Sequence, residues 1–458
     1  RDYIESEIAR SGGFDHLRVH LFTEPDCREI VEQVFVPLLQ AHGVDPAQPA
    51  DPARPADPAQ PADPAQPADP ATARSPSSAV EGLLEVFGVD GEYGRHYSFL
   101  KAIAAFWHVF VDSRIRATFK IDLDQVFPQK ELEEQTGFSA FGHFTSPFWG
   151  ARGVDRAGTE VDLGMIAGAL VNETDISHGV FTPDVPYPHR IPAGEAAVFF
   201  NKLPMAVSTR AEMGARYRAG SQCIERFHVT GGTNGILVDH LMRYRPFTPT
   251  FIGRAEDQAY LLSVLYEPAH EETKSKLGRA AGNPAGPATP VLRYVHEPGL
   301  IMRHDKETFA GESIAAAQTG RFVGDLARTF YFTRYADALP WGREKAKECL
   351  DPFTGCFITT RMYTVIMLRL MLHVGGLLAS SAEEEAVSVL ELAAERLGPL
   401  FQADTGSDFV GEHLRRQRHA WHVYYETLRD IRMQEFAPDV LKQARTEAAR
   451  IVGASRLI

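Results

Sequence analysis

The chain has 458 residues, 44% hydrophobic and 23% charged. That is the composition of a globular protein, too long for one ordinary core and sized for two or three domains. A net charge of -13 and a pI near 5.7 exclude a nucleic-acid groove spanning the surface, because backbone binding needs concentrated Lys and Arg. A small basic pocket for a phosphorylated substrate stays compatible with that balance.

In chain order, residues 2–9 read as a helix, 17–22 as an alternating strand and 27–41 as a helix again. A low-complexity tract of Pro-Ala-Asp-Pro-Ala-Gln repeats follows at about 45–78. Its prolines remove donors and fix φ, so it is expected to be an extended surface insertion acting as a spacer. Order resumes at 80–87, and a helix at 97–106 leads into Phe119-Lys120-Ile121-Asp122-Leu123-Asp124-Gln125-Val126-Phe127, read as one strand. Residues 138–190 are rich in Gly, Pro and aromatics and read as loops, with a short helix at 161–170 and a strand at 195–200. A strand at 226–230 precedes Gly231-Gly232-Thr233-Asn234-Gly235, and an apolar run and helix occupy 236–244. Residues 253–258 open a helix at 259–266; 278–290 is turn-rich, 292–296 a strand and 301–306 a loop. From Gly311 onward the pattern is helical, including 383–397 and 440–452, which predicts an α/β domain over 1–310 and a helical domain over 311–458.

The four cysteines, Cys27, Cys223, Cys349 and Cys356, lack metal-ligand spacing, and a chain this long needs no disulfide staple. A cytoplasmic setting is therefore expected. No secretory signal or transmembrane segment is found: the most apolar stretch, 362–378, is interrupted by Arg369 and His373.

On a strand, alternate side chains share a face, so Asp122 and Asp124 are expected to point the same way. Two carboxylates gathered there call for a neutralising cation or a hydrogen-bond network. Oxygen ligands suit Mg2+ or Mn2+ holding substrate phosphates. His304 is the candidate further ligand, with His296 competing and an ordinary exposed histidine the alternative, and Arg303 and Lys306 are candidate donors to phosphate oxygens. Gly231 and Gly232 would let a substrate lie against the main chain, and a simple hairpin turn at Asn234-Gly235 explains the run equally well. Glu256 and Asp257, at a helix start, are the best general-base residues, with the helix dipole lowering their pKa. Trp149 has the best claim among the tryptophans to stack on a sugar or base.

This order resembles a nucleotide-sugar-dependent glycosyltransferase of the GT-A fold: an acid pair, a Gly-Gly turn after a second strand, a Glu-Asp at a helix start, then a late histidine. The resemblance covers roughly 80–310. It implies a GT-A-like mixed sheet with a Rossmann-like nucleotide-binding half, joined to the helical C-terminal domain. By resemblance Asp122, Asp124 and His304 hold Mn2+ or Mg2+, with Asp124 the direct ligand of the acid pair. Asp122, Gly231, Gly232, Arg303 and Lys306 meet a nucleoside-diphosphate sugar, and Asp257 serves as base. The family opens on an apolar strand, whereas this chain starts at Arg1 on a helix and reads as a fragment or processed form without that strand. The helical tail is expected to shape the acceptor pocket or a homo-oligomer interface. The alternatives are a sugar-phosphate nucleotidyltransferase and a non-catalytic helical scaffold with a degenerate α/β domain.

Overall fold

The computed structural model describes residue 6 and residues 18–43, 79–91, 94–121, 125–127, 129–145, 149–154, 160–172, 224–226, 233–252, 256–270, 290–304, 313–347, 360–401 and 406–457. The insertion at 45–78, the strand expected at 195–200 and all of the opening helix but Ser6 lie outside these residues. In chain order, α1 (Glu24–Ile30), a π-helical turn (Val31–Phe35) and α2 (Val36–Ala41) precede α3 (Ala79–Val86) and α4 (Gly94–Phe110). Next come β1 (Ala117–Lys120), β2 (Gln125–Val126), α5 (Gln129–Thr136), α6 (Ala140–Phe144), β3 (Arg152–Val154) and β4 (Glu160–Asn172). These lead to β5 (Ile224–Arg226), β6 (Asn234–Leu237), α7 (Val238–Tyr244), α8 (Glu256–Leu262) and β7 (Val291–His304). Helices follow: α9 (Ser313–Ala338), α10 (Gly342–Lys347), α11 (Thr360–Ala379), α12 (Glu383–Phe401), α13 (Gly406–Arg432) and α14 (Pro438–Ser455). A mixed α/β N-terminal region thus precedes a mostly helical C-terminal one. Among the described residues no helix is long and apolar enough to cross a membrane.

The chain divides into two compact units, one of residues 1–91, 98–116 and 415–458, the other of 92–97 and 117–414. The boundary expected near 310 falls within the second, in a stretch outside the described residues. In the first unit, the Asp26 carboxylate reaches back to accept from the Thr23 N–H at 2.6 Å and starts α1. Phe35 lies with its ring centroid 5.8 Å from Phe87 and 5.3 Å from Tyr424, all fully buried. Such aromatic pairs add stabilisation beyond their area. The Tyr424 hydroxyl donates to the Ala102 carbonyl at 2.6 Å, so its burial leaves no orphan. The strand expected at 17–22 is not formed; among the described residues there, only His20 bridges, to Arg456. The reason is packing: His20 sits edge-on to Trp107 at 4.8 Å and Phe22 against Phe99 at 6.1 Å, so the alternation serves a helix surface instead of a ladder.

The second unit holds a seven-stranded sheet ordered β1–β6–β4–β7–β2, with β3 added to β4 and β5 to β7. The β4–β7 pair is parallel and the other pairs are antiparallel. Three expectations are corrected here. Residues 161–170 are not a helix but most of β4, which has β6 and β7 on its two sides. Buried on both faces, it shows no apolar–polar alternation, and Ala and Gly make the run look helical. Its glycines answer close approach: a Cβ on Gly164 would lie 2.5 Å from the His240 ring, and one on Gly168 1.9 Å from the Leu300 carbonyl oxygen. Second, 301–304 is strand, not loop; the register shift between Ala167 and Ala169 absorbs Pro298 and Gly299 as an irregularity inside β7. Third, 119–127 is not one strand. β1 pairs with β6 at one edge and β2 with β7 at the other, and Ile121, between them, is half-exposed instead of supplying a buried apolar face.

Beyond the sheet, α9, α11 and α12 share an apolar core of Val323, Leu326, Leu370, Val374, Ala386, Val389 and Leu397.

Candidate functional site

Strand direction sets the site. β1, β4 and β7 run one way, with β6 and β2 against them. The carboxyl ends of the first three therefore share an end of the sheet with the starts of the other two. In open parallel α/β sheets ligands bind outside the carboxyl ends; here only the β4–β7 pair is parallel. Lys120, the last residue of β1, pairs with Asn234, the first of β6, in the row of Ala167 and His296, five β4 residues short of that end. At the far edge Gln125, the first of β2, pairs with His304, the last of β7, and His304 also stands beside Asn172 of β4.

A polar cluster lies beneath this end. Lys120 Nζ donates to Glu256 Oε1 at 3.2 Å, and His96 Nε2 lies 3.6 Å from the same oxygen. The Lys120 and Glu256 side chains are only 10% and 15% exposed, so each charge depends on the other. Burial pushes the Glu256 carboxyl up, but the His96 hydrogen bond and the Lys120 charge outweigh it and bring the pKa down to about 2. Lys120 Nζ also sits 5.8 Å over the Tyr97 ring. The Tyr97 hydroxyl donates to Asn234 Oδ1 at 2.5 Å, while the buried Nδ2 of Asn234 has no hydrogen-bond partner among the described residues. Asp257, next along α8, is buried, and its Oδ1 accepts from the Gln258 N–H at 2.8 Å.

A second charged network holds α7 on the sheet. Asp162 of β4, fully buried, has Arg243 Nη1 2.9 Å from Oδ2 and Arg152 Nε 2.9 Å from Oδ1. The Tyr244 hydroxyl donates to Oδ2 at 2.7 Å, and His240 Nε2 stands 3.8 Å away. Burial lowers the His240 pKa, with the Asp162 charge opposing. Burial, then the bond to Asp162, pushes the Tyr244 phenol up. The sequence carried a signal for this network: an acid inside the apolar run Val161-Asp162-Leu163, and His240, Arg243 and Tyr244 at helical spacing. Lys120, His96 and Tyr97 are likewise site companions that no motif marks.

Of the residues expected in the site, Asp122, Asp124, Gly231, Gly232 and Lys306 lie outside the described residues. Arg303 and His304 are described by backbone alone, and the register brings both beside β2. Glu256 is brought to Lys120 and His96. Trp149 is half-buried, its Nε1 donating to the Gly164 carbonyl at 3.2 Å and its ring 5.0 Å from Phe119, which fixes it against the sheet. More open aromatics are Phe141 and Phe138, 74% and 40% exposed. Among the described residues no group of three or more His, Cys, Asp or Glu is arranged to hold a metal. Comparison with known proteins yields nothing: no family, no curated protein and no solved structure matches the chain.

Proposed function

We propose that the chain is a metal-dependent glycosyltransferase, moving a sugar from a nucleoside-diphosphate sugar to an acceptor hydroxyl on a GT-A-like sheet. One observation carries the reading: Gln125, the residue following Asp124, pairs with His304 across β2 and β7. The late histidine and the flank of the acid pair, far apart in sequence, thereby meet at one end of a mixed sheet. That donor set, two carboxylates and an imidazole, is suited to Mn2+ or Mg2+. When bound, the cation supplies positive charge against the leaving nucleoside diphosphate.

The chain's own residues have separate tasks in this proposal. Asp122, Asp124 and His304 hold the metal. Arg303 and Lys306 donate to phosphate oxygens. Gly231 and Gly232 admit the donor against the main chain just before β6. Asp257 takes the proton from the acceptor hydroxyl in an inverting reaction, and orients that hydroxyl in a retaining one. Glu256, ionised and clamped by Lys120 and His96, is a weak base and instead fixes the start of α8 beneath Asp257.

The test is donor hydrolysis and transfer across UDP-, GDP- and ADP-sugars, with Mn2+ or with a chelator. The expected result is metal-dependent release of one nucleoside diphosphate and a thermal shift when that nucleotide and Mn2+ are added together. Consumption of a nucleoside triphosphate with release of pyrophosphate would point to a nucleotidyltransferase. A protein that binds neither Mn2+ nor nucleotide would be a scaffold.

A further inference from the structure

α11 has two contrasting faces. Leu370 and Val374 point into the core shared with α9 and α12. Leu368, Met371, Leu372 and Leu378 point outward, 57%, 64%, 75% and 53% exposed. These positions follow helical spacing and form a stripe. Every exposed position described on α11 is uncharged. α12 adds Val387 and Leu390, 50% and 51% exposed. A Cβ on Gly375 or Gly376 would meet nothing within 4 Å, so a neighbouring backbone can come close there.

We propose that this face is where two copies of the chain meet, with α11 and α12 of each forming a helical interface. Area is the supporting observation. Six large apolar side chains at these exposures present roughly 600 Å², the upper end of what a monomer leaves in one patch. A stable dimer buries roughly 800 Å² per partner, so this stripe would supply most of that area. Charge argues only against a membrane, since the same acids would also face each other across a two-fold axis. α12 opens on Glu383, Glu384 and Glu385 and exposes Glu391 and Glu395, and the whole chain carries -13. An anionic lipid surface, the other occupant of such a stripe, recruits Lys and Arg at its flanks and is repelled by this pattern. A self-complementary face closes under two-fold symmetry into a helix bundle.

The proposal is independent of the transferase reading, and its test uses no activity. Sedimentation velocity of the full chain across micromolar concentrations should give a species of twice the 50.7 kDa chain mass. Leu372→Glu should give the single-chain mass with unchanged far-UV circular dichroism and melting temperature. Should Leu372→Glu misfold, Leu372→Gln is the second variant, expected to raise the dimer dissociation constant by about tenfold or more. A wild-type chain that stays monomeric, a folded Leu372→Glu that stays dimeric, or a monomer that floats with phosphatidylserine vesicles would each overturn the proposal.

Discussion

Asp162→Asn tests how the sheet and α7 are held together. The side chain keeps its shape but loses its charge, and its new NH2 group must face donors. Three groups face the wild-type carboxylate: Arg243 Nη1 at 2.9 Å and Arg152 Nε at 2.9 Å as ion pairs, and the Tyr244 hydroxyl, which donates at 2.7 Å. They do not count equally. The Arg152 side chain is 65% exposed, so water replaces Asp162 cheaply and its share is below about 1 kcal/mol. Arg243 is 25% exposed and rehydrates only partly, which puts the loss near the low end of a broken buried pair, about 3 kcal/mol. Tyr244 is 1% exposed, and a weakened bond to its hydroxyl adds about 1 kcal/mol. The expected total is about 4 kcal/mol, read by calorimetry as a fall of about 8–12 °C in the melting of the sheet-bearing unit. Arg152→Ala is the control and should shift melting by no more than about 2 °C. A loss under about 1 kcal/mol for Asp162→Asn, or equal losses for the two variants, would refute the weighting by burial.

Three further outcomes are expected, the first from the proposed function and the other two from the geometry. Asp124→Ala should cut sugar transfer by about a hundredfold or more with melting unchanged, and His304→Ala should raise the Mn2+ concentration needed for half-maximal rate; normal turnover in Asp124→Ala would defeat the metal assignment. The Glu256 carboxyl falls from 4.5 to about 2 on folding, so its stabilisation of roughly 3 kcal/mol is present above pH 4.5 and lost as pH falls toward 2. Glu256→Gln should therefore flatten denaturation midpoints across that window, and a slope equal to wild type counts against the clamp. Gly168→Ala, whose Cβ would strike the Leu300 carbonyl oxygen, should cost several kcal/mol or prevent folding, whereas Gly453→Ala, on a helix with open space, should add up to about 1 kcal/mol; chemical denaturation compares the two.

What the sequence reveals of this molecule is what local periodicity carries. The helices at 24–41, 94–110, 383–401 and 438–455 follow from apolar residues repeating at three and four positions, and the structure contains them near the expected bounds, while the ordered stretch expected at 80–87 is helix α3. β4 does not follow, because a strand buried on both faces loses the alternation that marks a strand. Gly164 and Gly168, read as small residues along a helix, are instead the places where His240 and Leu300 come closest. β7 is underread for the opposite reason: Pro298 and Gly299 signal a turn, yet the parallel register with β4 simply slips past them. Glu256 is found at its helix start, but the dipole argument misses the cause. Its ionisation is set by His96 and Lys120, residues 160 and 136 positions away. The same holds for Asp162, whose partners Arg152 and Arg243 arrive on a different strand and a helix. Side chains that act together here are joined by strand register, and register depends on which faces are buried and how turns close, not on any motif. In the proposed transferase the Gln125–His304 pairing therefore carries more than either the acid pair or the histidine alone, because two weak signals would make one site only where the sheet aligns them.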